Sequence, residues 1–237
     1  MTTPCIVLAG GLGTRLRSAV PDLPKCLAPI QGRPFLEWQL RSLAQRGVSR
    51  FVLALGHGAD QVQTALSQDW AKSLQIDYVI EREALGTGGA TRFAMKETGL
   101  DEALVVNGDT YLGGNLAPMH CTLDLAKGER MRIATVGVSD RTRFGGVELT
   151  SHGCITTFLE KGQSGPGIIN AGLYRVHSSA FDSSPGGAFS METLVMPQLL
   201  VHGALWACEL AGPFIDIGVP DDYRQFSAHV EDYVNAA

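Results

Sequence analysis

An α/β fold with a doubly wound, mostly parallel sheet is predicted by three observations. Short apolar runs alternate with helical patterns through the first half of the chain. The first apolar run opens directly into a glycine-rich loop. After about residue 130 the pattern changes to closely spaced strands, which predicts a more irregular second half.

The elements follow in order. Residues 5–9 form an uninterrupted apolar run, read as a buried strand. Residues 34–46 read as a helix: Phe35, Trp38 and Leu43 fall near one face, Pro34 suits the start and Gly47 the end. Strands are expected at 50–55, 76–80 and 103–107. Helices are expected at 60–67 and, entered through glycines, at 87–97. In the second half, 132–138, 147–149, 155–159 and 168–176 read as strands, 191–201 as a helix kinked at Pro197, and 205–210 as a strand. The last helix starts near Pro220. No linker, repeat or low-complexity tract separates the halves, so residues 1–237 are read as one domain with a boundary of character near 130.

The bulk composition narrows the function. The chain has 237 residues, 45% hydrophobic and 18% charged, which is ordinary globular usage. A chain of this size can bury a core without staples. The net charge of −5 and the scattered Lys and Arg argue against a nucleic-acid partner, which needs a basic stripe. The five cysteines are odd in number and form no CxxC, so free thiols in a reducing compartment are expected and a zinc site is not. Met1-Thr2-Thr3-Pro4 lacks a charged leader segment, and the apolar run at 5–9 is too short for a signal core or a membrane span. A soluble, cytoplasmic protein with no membrane partner is the expectation. Oligomeric state stays open, a homo-oligomer included.

Three segments carry chemistry. In Leu8-Ala9-Gly10-Gly11-Leu12-Gly13-Thr14-Arg15-Leu16, a strand runs into a loop whose missing β-carbons let a ligand approach backbone N–H groups. Arg15 and, downstream, Lys25 add positive charge at the same strand end. The segment is neither the dinucleotide fingerprint nor a P-loop, because Leu16 stands at the third glycine and no Gly-Lys-Ser/Thr follows. Taken alone, a tight turn with solvated basic residues explains it equally well. In Asn107-Gly108-Asp109-Thr110, a buried strand ends on a carboxylate, and a polar turn is the plainer explanation. Asp216 lies between apolar residues, where an acid is costly unless paired or metal-bound. The third segment runs from Glu81 through Gly86-Thr87-Gly88-Gly89. The six histidines show no metal spacing, His57 reads as a loop residue, and no nucleophile-base arrangement is seen.

Together these segments resemble the signature of the sugar-phosphate nucleotidyltransferases. The resemblance extends through Glu160-Lys161, Asn170-Ala171-Gly172-Leu173-Tyr174 and Asp216-Ile217-Gly218-Val219-Pro220, in the family's order over nearly the whole chain. It implies a Rossmann-like sheet of the nucleotide-diphospho-sugar transferase type, with about 1–130 as the nucleotide-binding half and about 131–237 as the sugar-binding half. It implies catalytic roles for Arg15, Lys25 and Asp109, and Mg²⁺ held by Asp109 and Asp216. Nucleotide contacts would come from Leu8, Ala9, Gly10, Gly11, Gly13, Thr14, Glu81, Gly86, Thr87 and Gly108. Gly145 or Gly146 would allow the sugar to approach, Glu160 and Asn170 would bind its hydroxyls, and Lys161 its phosphate.

Glu81 stands where thymidylyl and many uridylyl enzymes have Gln. A carboxylate accepts two hydrogen bonds, which suits the N–H pair of guanine. Residues 22–37 and 85–90 resemble most the branch that transfers GMP from GTP to D-glycero-α-D-manno-heptose 1-phosphate for bacterial surface glycans. The alternatives are an N-acetylmuramate 1-phosphate uridylyltransferase, a mannose 1-phosphate guanylyltransferase, and a catalytically inactive paralogue that binds a nucleotide sugar. One departure is Cys26, where the family usually has proline after the lysine. It predicts a thiol activated by Lys25 and leaves the stiffness of that loop in question.

Overall fold

The computed structural model describes residues 3–11 and 13–236. Leu12 of the glycine-rich motif lies outside the described residues, as do Met1, Thr2 and Ala237. The elements are β1 (Thr3–Leu8), β2 (Pro29–Ile30), β3 (Arg33–Pro34), α1 (Phe35–Gln45), β4 (Val48–Leu55), α2 (Ala59–Leu66), β5 (Ile76–Ile80), α3 (Gly86–Thr98), β6 (Glu102–Asn107) and β7 (Thr110–Leu112). They continue with α4 (Ala117–His120), β8 (Met131–Val138), β9 (Val147–Leu149), β10 (Ile155–Phe158), β11 (Gly167–His177), α5 (Met196–Val201), β12 (Leu205–Glu209), β13 (Phe214–Asp216) and α6 (Pro220–Asn235).

Seven strands form one sheet in the order β12-β8-β11-β6-β1-β4-β5. β1 runs parallel to β4 and β6, β4 to β5, and β8 to β12. Only β11 runs against its neighbours, β6 and β8. The α/β class and the mostly parallel sheet are therefore as expected. The alternation along each strand divides the core in two. Cys5, Val7, Leu53, Leu55, Leu104 and Val106 face one layer with α1. Ile6, Val52, Ala54, Ala103 and Val105 face the other with α3. Period-two burial on both faces is why these runs read as continuously apolar.

Two features depart from the sequence reading. The segment expected as one helix at 191–201 begins as a π-helical turn, Met191–Val195, and becomes α-helical only from Met196. Pro197 stands in the first turn of α5, where its missing N–H costs least. A short ribbon joins β13 to β7 in antiparallel register, Asp216 opposite Thr110. A third apolar cluster packs α6 onto this ribbon: Phe226 lies 5.2 Å from Tyr111 and 5.4 Å from Phe35 between ring centroids.

β1 connects to β4 on one side, and β6 lies on its other side. The carboxyl ends of β1 and β6 therefore flank a topological switch point, the place where open α/β sheets leave a crevice for ligands.

Candidate active site

A cavity of about 480 Å³ opens at that switch point. Its walls include Leu8, Ala9, Gly10, Gly11 and Gly13 after β1, Asn107, Gly108 and Asp109 after β6, and Gly86, Thr87 and Ala90 of α3. Arg15, Lys25, Cys26, Glu81, Ala84, Glu192 and Asp216 complete it. The two strand ends are laced together, with the Gly108 N–H donating to the Leu8 carbonyl at 3.0 Å. A β-carbon at Gly108 would lie 2.6 Å from that same carbonyl oxygen, so only glycine permits this approach.

Lys25 opens a 3₁₀ turn, Lys25–Leu27, that follows Pro24. Its Nζ donates to Asp109 Oδ2 at 2.9 Å, and the two side chains are only 18% and 21% exposed. The ribbon brings Asp216 alongside. Its Oδ1 accepts the Gly218 N–H at 2.7 Å, and the Ile217 N–H donates to the Asp109 carbonyl at 2.9 Å. A β-carbon at Gly218 would sit 2.7 Å from Asp216 Oδ1 and 3.1 Å from both Asp109 Oδ2 and Lys25 Nζ. Three charged groups thus converge on one point. Burial and then the neighbouring Asp109 carboxylate raise the Asp216 carboxyl above its ordinary range. The Gly218 N–H, Lys25 and Arg15 pull it back.

Asp109 is also held from behind. Gln39 of α1, 2% exposed, donates its side-chain amide to the carbonyls of Asn107 at 2.8 Å and Thr110 at 2.6 Å. These bonds bracket the Gly108-Asp109 turn. Among the described residues no three His, Cys, Asp or Glu side chains form a metal cage. Two converging carboxylates suit instead a hard cation whose shell is completed by phosphates and water. Burial is the main cause of the raised Asp216 carboxyl and the Asp109 charge the second, and it is the second that such a cation would offset.

Glu81 follows β5. Its Oε2 accepts the Leu85 N–H at 2.9 Å, and its Oε1 lies 2.8 Å from where a β-carbon would stand at Gly10. Burial raises this carboxyl, against the lowering effect of the Leu85 N–H. Thr87 spends its hydroxyl within the protein, donating to Glu192 Oε2 at 2.6 Å and accepting the Met191 N–H at 2.9 Å.

The other sequence-predicted residues are placed differently. Thr14 is exposed and stands apart from the lining, whereas Arg15, also exposed, reaches it. Gly146 is buried where the β9–β10 hairpin continues, exchanging hydrogen bonds with Leu159 at 3.2 and 2.8 Å. Glu160 and Lys161 are exposed beyond that hairpin, and Asn170 lies on β11, donating to the Tyr174 hydroxyl at 3.1 Å. None of these four lines the cavity. The expectation of an activated Cys26 is corrected: the thiol is 2% exposed, and burial, with Asp109 adding to it, pushes it up to about 12. Glu192 was not anticipated. It enters through a contact 105 residues distant from Thr87, which no local pattern announces.

A family model described as nucleotidyl transferase matches residues 5–233. The chain is 33% identical over 230 residues to a D-glycero-alpha-D-manno-heptose 1-phosphate guanylyltransferase of Aneurinibacillus thermoaerophilus, covering 97% of this chain and 99% of that one. It is 34% identical to a mannose-1-phosphate guanylyltransferase of Mycobacterium tuberculosis, covering 94% of this chain and 63% of that one. Among solved structures, HddC from Yersinia pseudotuberculosis complexed with GMP-PN superposes with a TM-score of 0.84 and 33% identity, covering 97% of this chain and 100% of that one. With a glycine-rich strand end, a carboxylate pair and full-length likeness all in agreement, the chain belongs to the nucleotidyl transferase family.

Proposed function

We propose that the protein is a sugar-1-phosphate guanylyltransferase. It transfers GMP from GTP to D-glycero-α-D-manno-heptose 1-phosphate, giving GDP-heptose and pyrophosphate for surface-glycan synthesis. The observation that carries this is the convergence of Lys25, Asp109 and Asp216 in a cavity also walled by Glu81. Relatives of matching length that carry the heptose guanylyltransferase name support the substrate pair.

The reaction is an in-line displacement. An anionic oxygen of the sugar phosphate attacks the α-phosphorus, the bond from that phosphorus to the bridging oxygen breaks, and pyrophosphate leaves with the electron pair. The attacker is already ionised, so no general base is needed, and the barrier is charge repulsion. Lys25 stands ready to leave Asp109 and meet the α-phosphate and the incoming phosphate. Arg15, exposed at the rim, holds the triphosphate tail. Mg²⁺ is the cation that fits Asp109 and Asp216, and when bound it supplies positive charge to the phosphates. Backbone N–H groups of the glycine-rich loop face the phosphates. Glu81 accepts from guanine N1–H and its exocyclic amine.

In this reading the halves about 1–130 and 131–237 act as one domain. The protein works in the cytoplasm, where GTP is at hand, consistent with five free cysteines. No helix in the described residues is long and apolar enough to cross a membrane. Mannose 1-phosphate is a second acceptor to consider, because a mannose-1-phosphate guanylyltransferase is 34% identical over the 63% of its length that this chain covers. An inactive paralogue is disfavoured because Arg15, Lys25, Asp109 and Asp216 are all retained. The test is a matrix of four nucleoside triphosphates against a panel of sugar 1-phosphates, read by product mass. GDP-heptose as the main product is expected. A UDP-sugar from UTP would overturn the base assignment, and no nucleotide sugar at all would overturn the enzyme.

A further inference from the structure

Glu192 is a carboxylate in the cavity wall that the reaction above does not use. It rises from the π-helical turn Met191–Val195, an irregularity often found where a helix is bent to serve a site. One oxygen is fully engaged: Oε2 accepts the Thr87 hydroxyl at 2.6 Å and the Ser190 hydroxyl at 2.9 Å. Two short bonds to a single oxygen fix the group on both its own element and α3. Among the described residues Glu192 forms no ion pair with Lys, Arg or His. An ionised carboxylate only accepts hydrogen bonds, so its second oxygen calls for a donor from whatever fills the cavity.

The substrates offer few donors. Their phosphates are anionic and would be repelled, and the guanine N–H pair belongs to Glu81. Hydroxyl groups remain. The neighbourhood points to the sugar rather than the ribose. Glu192 comes from the second half of the chain and lies close enough to Tyr174 for its charge to act on that buried phenol. The Tyr174 hydroxyl is in turn bonded to Asn170. The acid expected to bind the sugar, Glu160, is exposed and outside the cavity.

We infer that Glu192 is a specificity-determining residue that accepts hydrogen bonds from hydroxyls of the sugar 1-phosphate, aimed by Thr87 and Ser190. This rests on the guanylyltransferase reading, and the experiment separates the two. Wild-type turnover of GTP with the heptose 1-phosphate tests the reaction. The ratio of variant to wild type tests Glu192. Glu192→Gln and Glu192→Ala should each raise KM for the sugar 1-phosphate by roughly tenfold, the size expected for losing a charge-assisted acceptor. KM for GTP and kcat at saturating sugar should stay within about twofold of wild type. Mannose 1-phosphate, compared with the heptose, should lose part of its discrimination in Glu192→Ala. GTP titration followed by intrinsic fluorescence reports on folding and nucleotide binding without requiring turnover. A rise in the KM or Kd of GTP with the sugar KM unchanged would assign Glu192 to the ribose and overturn the inference. Unchanged constants for both substrates would overturn it as well.

Discussion

The residues proposed for the nucleotide and those proposed for the sugar are built on different kinds of backbone. Gly10, Gly11, Gly108 and Asp109 sit at the ends of β1 and β6, central strands whose side chains are buried on both faces. Gly146, Glu160 and Lys161 sit on or beyond the β9–β10 hairpin, a two-stranded unit outside the main sheet. The first group already surrounds a cavity; the second does not reach it. A strand end inherits its position from the core. The hairpin is tied to β11 by the Gly146–Ile169 bridge, but Glu160 and Lys161 beyond it are exposed and inherit less.

This contrast orders the expected effects. The largest belongs to the cavity wall, where Lys25 pairs with Asp109. Lys25→Ala should lower kcat by roughly 10²-fold or more, the scale of a contact made in the transition state. Steady-state rates with a circular-dichroism check of folding measure it. A near wild-type kcat in folded protein would remove Lys25 from the reaction.

Next comes Glu81. Glu81→Ala should lower kcat/KM for GTP by a few tens-fold, with a smaller effect in Glu81→Gln and a narrower gap to UTP or dTTP. Burial raises this carboxyl, and protonation would cancel an acceptor. GTP use by the wild type should therefore decline on the acid side at a higher pH than an exposed glutamate would give. Glu81→Gln should flatten that limb. An acid limb that persists in Glu81→Gln belongs to another group.

Gly218→Ala sharpens the comparison within the site. Its β-carbon would press on Asp109, Asp216 and Lys25 at 2.7–3.1 Å, so a loss of about tenfold in kcat with a weakened Mg²⁺ dependence is expected. A Mg²⁺ activation curve that superposes on that of the wild type would show that the carboxylates can step aside.

The smallest effect is expected at the hairpin. Glu160→Ala should raise KM for the sugar 1-phosphate a few-fold and leave KM for GTP alone. If it matched Lys25→Ala in severity, the division into a cavity wall and an exposed rim would fail.

The sheet was legible in the sequence because its central strands are apolar on both faces and its longer helices are periodic patterns bounded by Pro or Gly. The observed bounds of β4, β5 and α3 lie within two residues of the expected ones, and α6 starts at Pro220 as expected. The β7–β13 ribbon was not legible, since three-residue strands leave no periodicity to read. The strand ends carrying Gly10 and Asp109 were placed from a local motif, and they meet in the fold. Cys26 was misjudged because the neighbouring Lys25 is visible in sequence, whereas the burial that dominates its thiol is not. Glu192 stayed hidden for a related reason. Its partner Thr87 lies in a different half of the chain, and the irregular turn that presents it depends on packing against α3.

The pairing of Asp216 with Thr110 makes the carboxylate pair a matter of counting residues. Three pairs hold that ribbon, and its side chains alternate between faces. Adding or deleting one residue in the 210–213 turn would swing Asp216 to the far face while α6 still docks through Phe226. Relatives that drift in this turn should therefore keep its length, and keep Gly212, where a β-carbon would lie 2.6 Å from the Gly113 and Gly114 backbone. A single-residue deletion at Pro213 should yield a folded, nucleotide-binding protein without turnover, and a deletion variant that still releases pyrophosphate would show that the ribbon can reset its own register.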